Sequence, residues 1–368
     1  MIPIIAPTIS GSIRDVPSGI QTLSIDMSLH TAIHAIGVIG AGAWGTALAR
    51  HLAEKGLTVT LWAYEQKVVE AIHSKRENSL YLPSVPLPTT LTATNSLAEA
   101  VHSVDSLVFA VPSHAARAVL QQIQPLLHEA VSLVSATKGI EEESLKLMTQ
   151  VMDDILPPAM RSRILVLSGP SFATEVSRGQ PTALCLAGSH VESVKNMQHL
   201  FMTPTFRVYG DDDVIGVQLG GALKNVMALA AGVVDGLGLG ANARAALITR
   251  GLAEMIRLGV AMGADPRTFY GLSGVGDLVL TCTGTLSRNH SVGMRLGKGE
   301  RLGAILDSMH AVAEGVRTAK AALGLARRYQ VEMPIVSEIN DVLFADKSCR
   351  QAVGDLMERG AKEEKNPA

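Results

Sequence analysis

An α/β half built on a parallel sheet, followed by an all-α half, is the fold class that three features of this sequence predict. Over residues 34–188 short β-branched runs alternate with longer helical stretches, the βαβ signature of a parallel sheet. Beyond Tyr209 and the acidic turn Asp211 to Asp213 no convincing strand recurs, and helical periodicity continues nearly to the C-terminus. The length of 368 residues, at roughly 100 to 200 residues per domain, accommodates two such units. The expected division is a loose extension over 1–30, an α/β domain over 31–213 and a helical domain over 214–368.

Taken in order, the apolar run at residues 2–9 is short, holds Pro3 and Pro7 and follows no basic residue, so it fails as a secretory signal. Met27 stands just upstream of the first strong strand, and the ordered domain, or the true start, is expected near it. Strands are predicted at 35–39, 59–62, 106–111, 132–136, 164–167 and 183–186; the early ones are nearly continuous in apolar residues, as strands buried on both faces are. Helices are predicted at 214–232, 244–262, 311–329 and 336–344, with the last eight residues frayed. Mean hydropathy is positive, yet no stretch reaches about 18 consecutive apolar residues. The nearest, 226–240, is interrupted by Asp235 and rich in Ala and Gly, so it reads as a buried helix rather than a membrane insertion.

Composition narrows the function classes. Hydrophobic residues make up 47% of the chain, charged residues 18% and aromatics 4%, which calls for an aliphatic core and excludes general disorder. Lys plus Arg number 32 against 34 Asp plus Glu, a formal charge of −2. No global field draws such a protein to nucleic acid or an anionic bilayer. Cys185, Cys282 and Cys349 stand far apart, neither a disulfide framework nor a metal module, which fits a reducing cytoplasm.

The first strand runs into G-A-G-A-W-G, with Gly40, Gly42 and Gly45 in a G-x-G-x-x-G between strand and helix. Gly40 permits a tight turn, Gly42 a close approach of backbone to pyrophosphate, and Gly45 close packing of helix on strand. The helix N-terminus then faces the phosphates, making this a Rossmann-like dinucleotide site. Glu65, 23 residues after Gly42, stands near where an acid meets the adenine ribose. Ala63 and Tyr64 occupy the strand end itself and no Arg is there, so the cofactor is NAD(P)H with the choice between NAD and NADP open.

Later strand ends bring Pro112-Ser113-His114, Thr137-Lys138-Gly139 and Ser168-Gly169-Pro170-Ser171 toward one crevice, with His114 read as a turn residue. Lys138 follows a buried strand, where a cation needs an anion. Lys224 interrupts L-G-G-A-L-K-N-V-M-A-L-A-A-G, among small residues that cannot cover it; a lysine there is costly to bury unless it meets charge or does chemistry. Asp277 follows the bend at Gly274 and Gly276, and Ser287-Arg288-Asn289 offers a guanidinium flanked by a hydroxyl and an amide, a cradle for phosphate.

With these motifs assembled, the chain from about residue 33 to 362 resembles the bacterial and organellar-type NAD(P)-dependent glycerol-3-phosphate dehydrogenase family. The resemblance rests on G-A-G-A-W-G-T-A, A-T-K-G, S-G-P-S-F-A, G-V-Q-L-G-G-A-L-K-N through D-G-L-G-L-G-A-N-A-R-A-A-L-I-T-R-G, G-V-G-D-L, S-R-N and V-A-E-G, in family order. It implies reduction of dihydroxyacetone phosphate to sn-glycerol 3-phosphate for glycerophospholipid synthesis. By the same resemblance Lys224 is the proton donor and acceptor, with Asp277 beside it. Lys138, Gly169, Ser171, Ser287, Arg288 and Asn289 line the substrate site. On the cofactor side it implicates Gly40, Gly42, Ala43, Trp44, Gly45, Tyr64, Lys138 and Ala173, then Arg288, Val312 and Glu314. Tyr64 departs from the basic residue or His often found there. A homodimer joined through apolar helix faces is expected. Two alternatives stand beside this reading: a 3-hydroxyacid or ketopantoate-type dehydrogenase, and a non-catalytic NAD(P)H sensor.

Overall fold

A computed structural model describes residues 35–309, 313–361 and 363; the expected extension at 1–30, Val312 and most of the last eight residues lie outside them. Strongly apolar runs can be buried on both faces only if helices cover both sides of the sheet, and the chain order provides them. β1 (Ala35–Ile39), α1 (Ala43–Glu54), β2 (Thr58–Trp62), α2 (Gln66–Lys75), β3 (Leu91–Thr94), α3 (Leu97–Val101), β4 (Ser106–Phe109) and α4 (Ser113–Ile123) come first. β5 (Ser132–Ser135), α5 (Met148–Ile155), β6 (Ile164–Ser168), α6 (Ala173–Ser177), β7 (Thr182–Gly188), α7 (Val191–Phe201) and β8 (Phe206–Asp211) follow.

The eight strands form one sheet in the order β3-β2-β1-β4-β5-β6-β7-β8. Ile39 pairs with Trp62 on one side and Phe109 on the other, and Phe109 pairs with Ser135. The carboxyl ends of these strands therefore finish at one edge, and the order reverses between β1 and β4, the position where open α/β sheets take their ligands. Large aliphatic cores fill both sheet faces, one around Ile36, Leu48 and Leu61 and one around Phe109, Leu120 and Leu133.

Three strands depart from the sequence expectation. β3 and β8 were not anticipated, and β7 runs antiparallel to β6 in a sheet expected to be parallel. The connection between these two strands carries only the five-residue α6 rather than a full crossover helix.

Among the described residues eight α-helices follow: α8 (Val214–Gly236), α9 (Gly240–Ala261), α10 (Asp277–Thr283), α11 (Arg288–Gly297), α12 (Leu302–Asp307), α13 (Glu314–Arg328), α14 (Pro334–Phe344) and α15 (Cys349–Met357). α8 is the axis of this half, buried along nearly its whole length, with α9, α10, α11, α13 and α14 packed on it. By length and composition it could cross a membrane, but 89% of its most apolar window is buried inside the fold. Glycines let these neighbours approach: a Cβ on Gly232 would stand 2.1 Å from His290 O, and one on Gly293 2.0 Å from Leu229 O. α8 thus carries Lys224 into the centre of the molecule.

Candidate active site

At the end of β1 the three motif glycines have separable tasks. Gly40 takes φ +111°, a region that favours glycine, and a Cβ there would stand 2.6 Å from Ala110 O. A Cβ on Gly45 would lie 1.9 Å from Gly40 O, so α1 sits directly against the turn. Gly42 has no such neighbour within 4 Å. The space it faces lies at the N-terminus of α1, which has no side-chain cap and no acid in its first turn. Free N–H groups and the helix dipole are thus directed at an open cradle, which fits a pyrophosphate.

Ala43 and Trp44 form the first turn of α1; Trp44 Nε1 is buried without a partner, and Trp44 and Ala173 pack on the same core. Tyr64 is 81% exposed past the end of β2. The neighbouring Glu65 is engaged elsewhere, its Oε1 accepting from Tyr81 Oη–H at 2.6 Å. That carboxylate and burial together push the Tyr81 hydroxyl up to about 12.

A second group of residues converges on Asp277. Gly220 and Gly221 clear the approach. A Cβ on the first would stand 2.2 Å from Ser273 O and one on the second 2.4 Å from Ser168 Oγ. Asp277 begins α10 directly after the kinked turn Leu272–Gly276 and is fully buried. Its Oδ1 accepts from the Lys224 ammonium and its Oδ2 from Lys138 Nζ at 2.9 Å, so one carboxylate serves two lysines. Lys138 also donates to Gly169 O at 2.9 Å and Ser171 Oγ at 3.4 Å. Lys224, 7% exposed, donates to Thr281 Oγ1 at 2.9 Å. Burial lowers the Lys224 amine to about 8; Asp277 works against that shift and the charge on Lys138 adds to it. Lys138 Nζ also lies 5.9 Å from the centre of the Trp44 ring, which links the glycine turn to this cluster.

The S-R-N motif opens α11. Ser287 is its N-cap, accepting from His290 N at 3.2 Å, so its hydroxyl serves the helix. The Arg288 side chain makes no hydrogen bond or ion pair among the described residues and is exposed; the protein around its base holds its guanidinium below the ordinary range, opposed by attraction to Glu314. Asn289 is tied at both ends, donating to Asn225 Oδ1 at 2.9 Å and accepting from Gly315 N at 3.0 Å. Both Glu314 oxygens accept from Ser113, one from its N–H and one from its hydroxyl. The structure therefore joins Lys138, Gly169, Ser171, Lys224 and Asp277 directly, and brings Asn289 to them through Asn225. Tyr64 stands apart from this cluster, and Val312 lies outside the described residues.

Sequence reasoning missed Thr281, although its spacing of four from Asp277 on a helix was a usable signal. It also missed the cluster in which Asp235 accepts from Arg244 at 2.9 and 3.0 Å and meets His290 Nε2 at 2.8 Å. Asp235 was visible only as a charge interrupting an apolar run.

The dinucleotide cradle and the shared carboxylate lie in segments that both match one family. Residues 35–194 match the family model described as the N-terminus of NAD-dependent glycerol-3-phosphate dehydrogenase, and residues 213–354 match the model for its C-terminus. The chain belongs to this dehydrogenase family. It is 58% identical over 330 residues to glycerol-3-phosphate dehydrogenase [NAD(P)+] of Geobacter metallireducens, covering 90% of this chain and 98% of that protein. The Bacillus mycoides protein of the same name is 49% identical over 329 residues, covering 89% and 97%. The crystal structure of glycerol-3-phosphate dehydrogenase from Coxiella burnetii matches with a TM-score of 0.86 at 40% identity, covering 89% of this chain and 99% of that one. A ketopantoate reductase from Ralstonia eutropha, at 15% identity and a TM-score of 0.55, shares the fold alone. Family membership does not favour the ketopantoate-type alternative.

Proposed function

We propose that this chain is an NAD(P)-dependent glycerol-3-phosphate dehydrogenase, interconverting dihydroxyacetone phosphate and sn-glycerol 3-phosphate and so supplying glycerophospholipid synthesis. The observation that carries the reading is the buried Lys224 amine, lowered to about 8 and held with Lys138 on the Asp277 carboxylate. A group poised near working pH is what proton transfer in both directions requires.

The cradle at Gly40, Gly42 and Gly45, with Ala43, Trp44 and Ala173 beside it, fits a dinucleotide on its pyrophosphate side. When bound, the nicotinamide supplies or accepts the hydride. The task of the chain is the proton and the charge. In reduction, negative charge grows on the substrate C2 oxygen; the Lys224 ammonium polarises that oxygen and protonates it, and Lys138 adds a second positive charge nearby. In oxidation the neutral Lys224 amine takes the hydroxyl proton. Asp277 and Thr281 hold that amine in place. Arg288, whose guanidinium has no ion pair among the described residues, is the group to hold the phosphate, with Ser287 and Asn289 fixing its position at the start of α11. Gly169 and Ser171 orient Lys138.

The same reading divides the chain at 213/214, between the end of β8 and the start of α8. It places the enzyme in the cytoplasm as a homodimer. The absence of any disulfide among Cys185, Cys282 and Cys349 supports the compartment, and sedimentation measures the assembly. The deciding experiment is oxidation of NADH and of NADPH with dihydroxyacetone phosphate. Turnover is expected with at least one of them, and its absence with both refutes the reading. Lys224→Ala should cost about 10² to 10⁴ in kcat while NAD(P)H binding persists.

A further inference from the structure

α4 has no cap of its own. Its N-cap residue is Pro112, which offers no side-chain acceptor, so the first N–H groups of the helix need a partner from elsewhere. That partner is Glu314, at the first position of α13: Ser113 N donates to its Oε1 at 3.0 Å and Ser113 Oγ to its Oε2 at 2.7 Å. A carboxylate at a helix N-terminus is also favoured by the dipole. The contact spans the sheet half and the helical half, 201 residues apart in sequence.

This clasp is one side of a closed ring. Ser113 and Glu314 press on Gly139, where a Cβ would stand 2.6 Å from Ser113 Cβ and 3.0 Å from Glu314 Oε2. The preceding carbonyl, that of Lys138, accepts from Asn225 Nδ2 at 3.4 Å. Asn225 Oδ1 accepts from Asn289, and Asn289 Oδ1 accepts from Gly315 N, the residue after Glu314. The ring thus returns to its start without passing through Lys224 or Asp277. It grips the backbone that carries Lys138 and the residue next to Arg288.

We propose that Ser113 is a positioning residue: by clasping Glu314 it fixes the separation between the lysine pair and Arg288, and so selects ketones whose phosphate lies at one set distance from the carbonyl. The proposal rests on the functional reading above. Ser113 is 2% exposed and its hydroxyl has no other hydrogen-bond partner among the described residues, so Ser113→Ala tests the clasp without touching the amines or the guanidinium.

The experiment compares parent, Ser113→Ala and Glu314→Gln with dihydroxyacetone phosphate, with unphosphorylated dihydroxyacetone, and for NAD(P)H binding by fluorescence. Ser113→Ala should raise KM for dihydroxyacetone phosphate about tenfold, the scale of one charge-assisted hydrogen bond. Its kcat should stay within about threefold, and kcat/KM for dihydroxyacetone and the NAD(P)H Kd within about twofold. Glu314→Gln keeps an acceptor for Ser113 and should raise KM less than Ser113→Ala does; because Glu314 also stands on the cofactor side, the NAD(P)H Kd of that variant is read separately. An unmoved KM in folded Ser113→Ala overturns the proposal, as does an equal loss with dihydroxyacetone or in NAD(P)H binding. No turnover by the parent overturns the functional reading itself, whereas normal parental turnover with an unmoved KM overturns the clasp alone.

Discussion

Replacing Asp277 by Asn removes the one negative charge that Lys138 and Lys224 share while keeping shape and an acceptor oxygen. In the parent, burial drags the Lys224 amine down to about 8 and the Asp277 charge resists. An opposite charge at this range is worth about 1 to 3 pKa units, so without it the amine should fall to about 6, taking a shift of about two. In the proposed mechanism the ammonium donates the proton for reduction, and it is lost as pH rises through the pKa. At pH 7.5 a pKa of about 8 leaves roughly three-quarters of the enzyme competent, and a pKa of about 6 leaves roughly 3%. Reduction at that pH should therefore slow about 25-fold and recover most of the loss near pH 5.5. The assay is kcat for NAD(P)H oxidation with saturating dihydroxyacetone phosphate between pH 5 and 9. Saturation keeps the titration of the free substrate out of the profile. A variant whose rate falls without any acidward movement of its alkaline limb would refute the claim that Asp277 tunes Lys224.

Other expectations follow from the same geometry. Gly42→Ala, meeting no protein atom within 4 Å and having φ −64°, should melt within about 0.5 kcal/mol of the parent yet bind NAD(P)H weakly. Gly45→Ala, 1.9 Å from Gly40 O, should lower Tm, and the two melting curves distinguish packing from ligand access. Arg288→Ala removes a charge-assisted contact worth about 1.5 to 3 kcal/mol. KM for dihydroxyacetone phosphate should rise roughly tenfold or more while dihydroxyacetone turnover is unchanged; equal loss with both ketones would count against a phosphate role. Glu254 is buried where it caps α14 through Ile335 N and Val336 N, and burial raises its carboxyl from 4.5 to about 7. Between those pH values the native state holds a proton that the unfolded state has released. Its contribution is complete below pH 4.5 and lost as pH rises through about 7, so the Tm advantage of the parent over Glu254→Gln should shrink from pH 5 to 7.5, and a constant gap would contradict this.

How much of this was legible depended on whether the requirement was local. Gly40, Gly42 and Gly45 were readable because a strand, a turn and a helix follow one another within a few residues, and each glycine answers one of them. Lys224 was readable because a lysine among small apolar residues on a helix has no bland explanation, and the structure buries it. β8 was not readable as a strand. It lies at the sheet edge, its buried Phe206 and Val208 alternate with exposed Arg207 and Tyr209, and the search had been for continuous apolar runs. β3 is four residues long and largely threonine. The Ser113–Glu314 clasp could not be found: Ser113 was placed at a strand end and Glu314 on the cofactor side, but nothing in either segment names the other as its partner. Glu65 shows what spacing alone leaves out: it stands at the distance after the glycines that suits a ribose contact, and the hydrogen bond that Tyr81 donates to its Oε1 was not visible in the sequence.

The near-neutral charge of the chain acquires a meaning once Lys138 is placed. Two ammoniums on one carboxylate leave one formal positive charge at the centre of a protein whose total is −2. If the second lysine served only to attract an anionic substrate, a position nearer Arg288 would do as well. Its placement on Asp277 has a further consequence, because the Lys138 charge is itself one of the causes that lower Lys224. Remove it, and Asp277 would face Lys224 alone; the amine would rise, becoming a weaker acid for reduction and remaining protonated when oxidation needs it free. In the proposed mechanism Lys138 therefore adds to burial, the larger cause, in keeping Lys224 low enough that either direction can begin with the proton in the right place. Reversibility in this reading is a property of the pair, set by how closely two like charges are made to share one opposite charge.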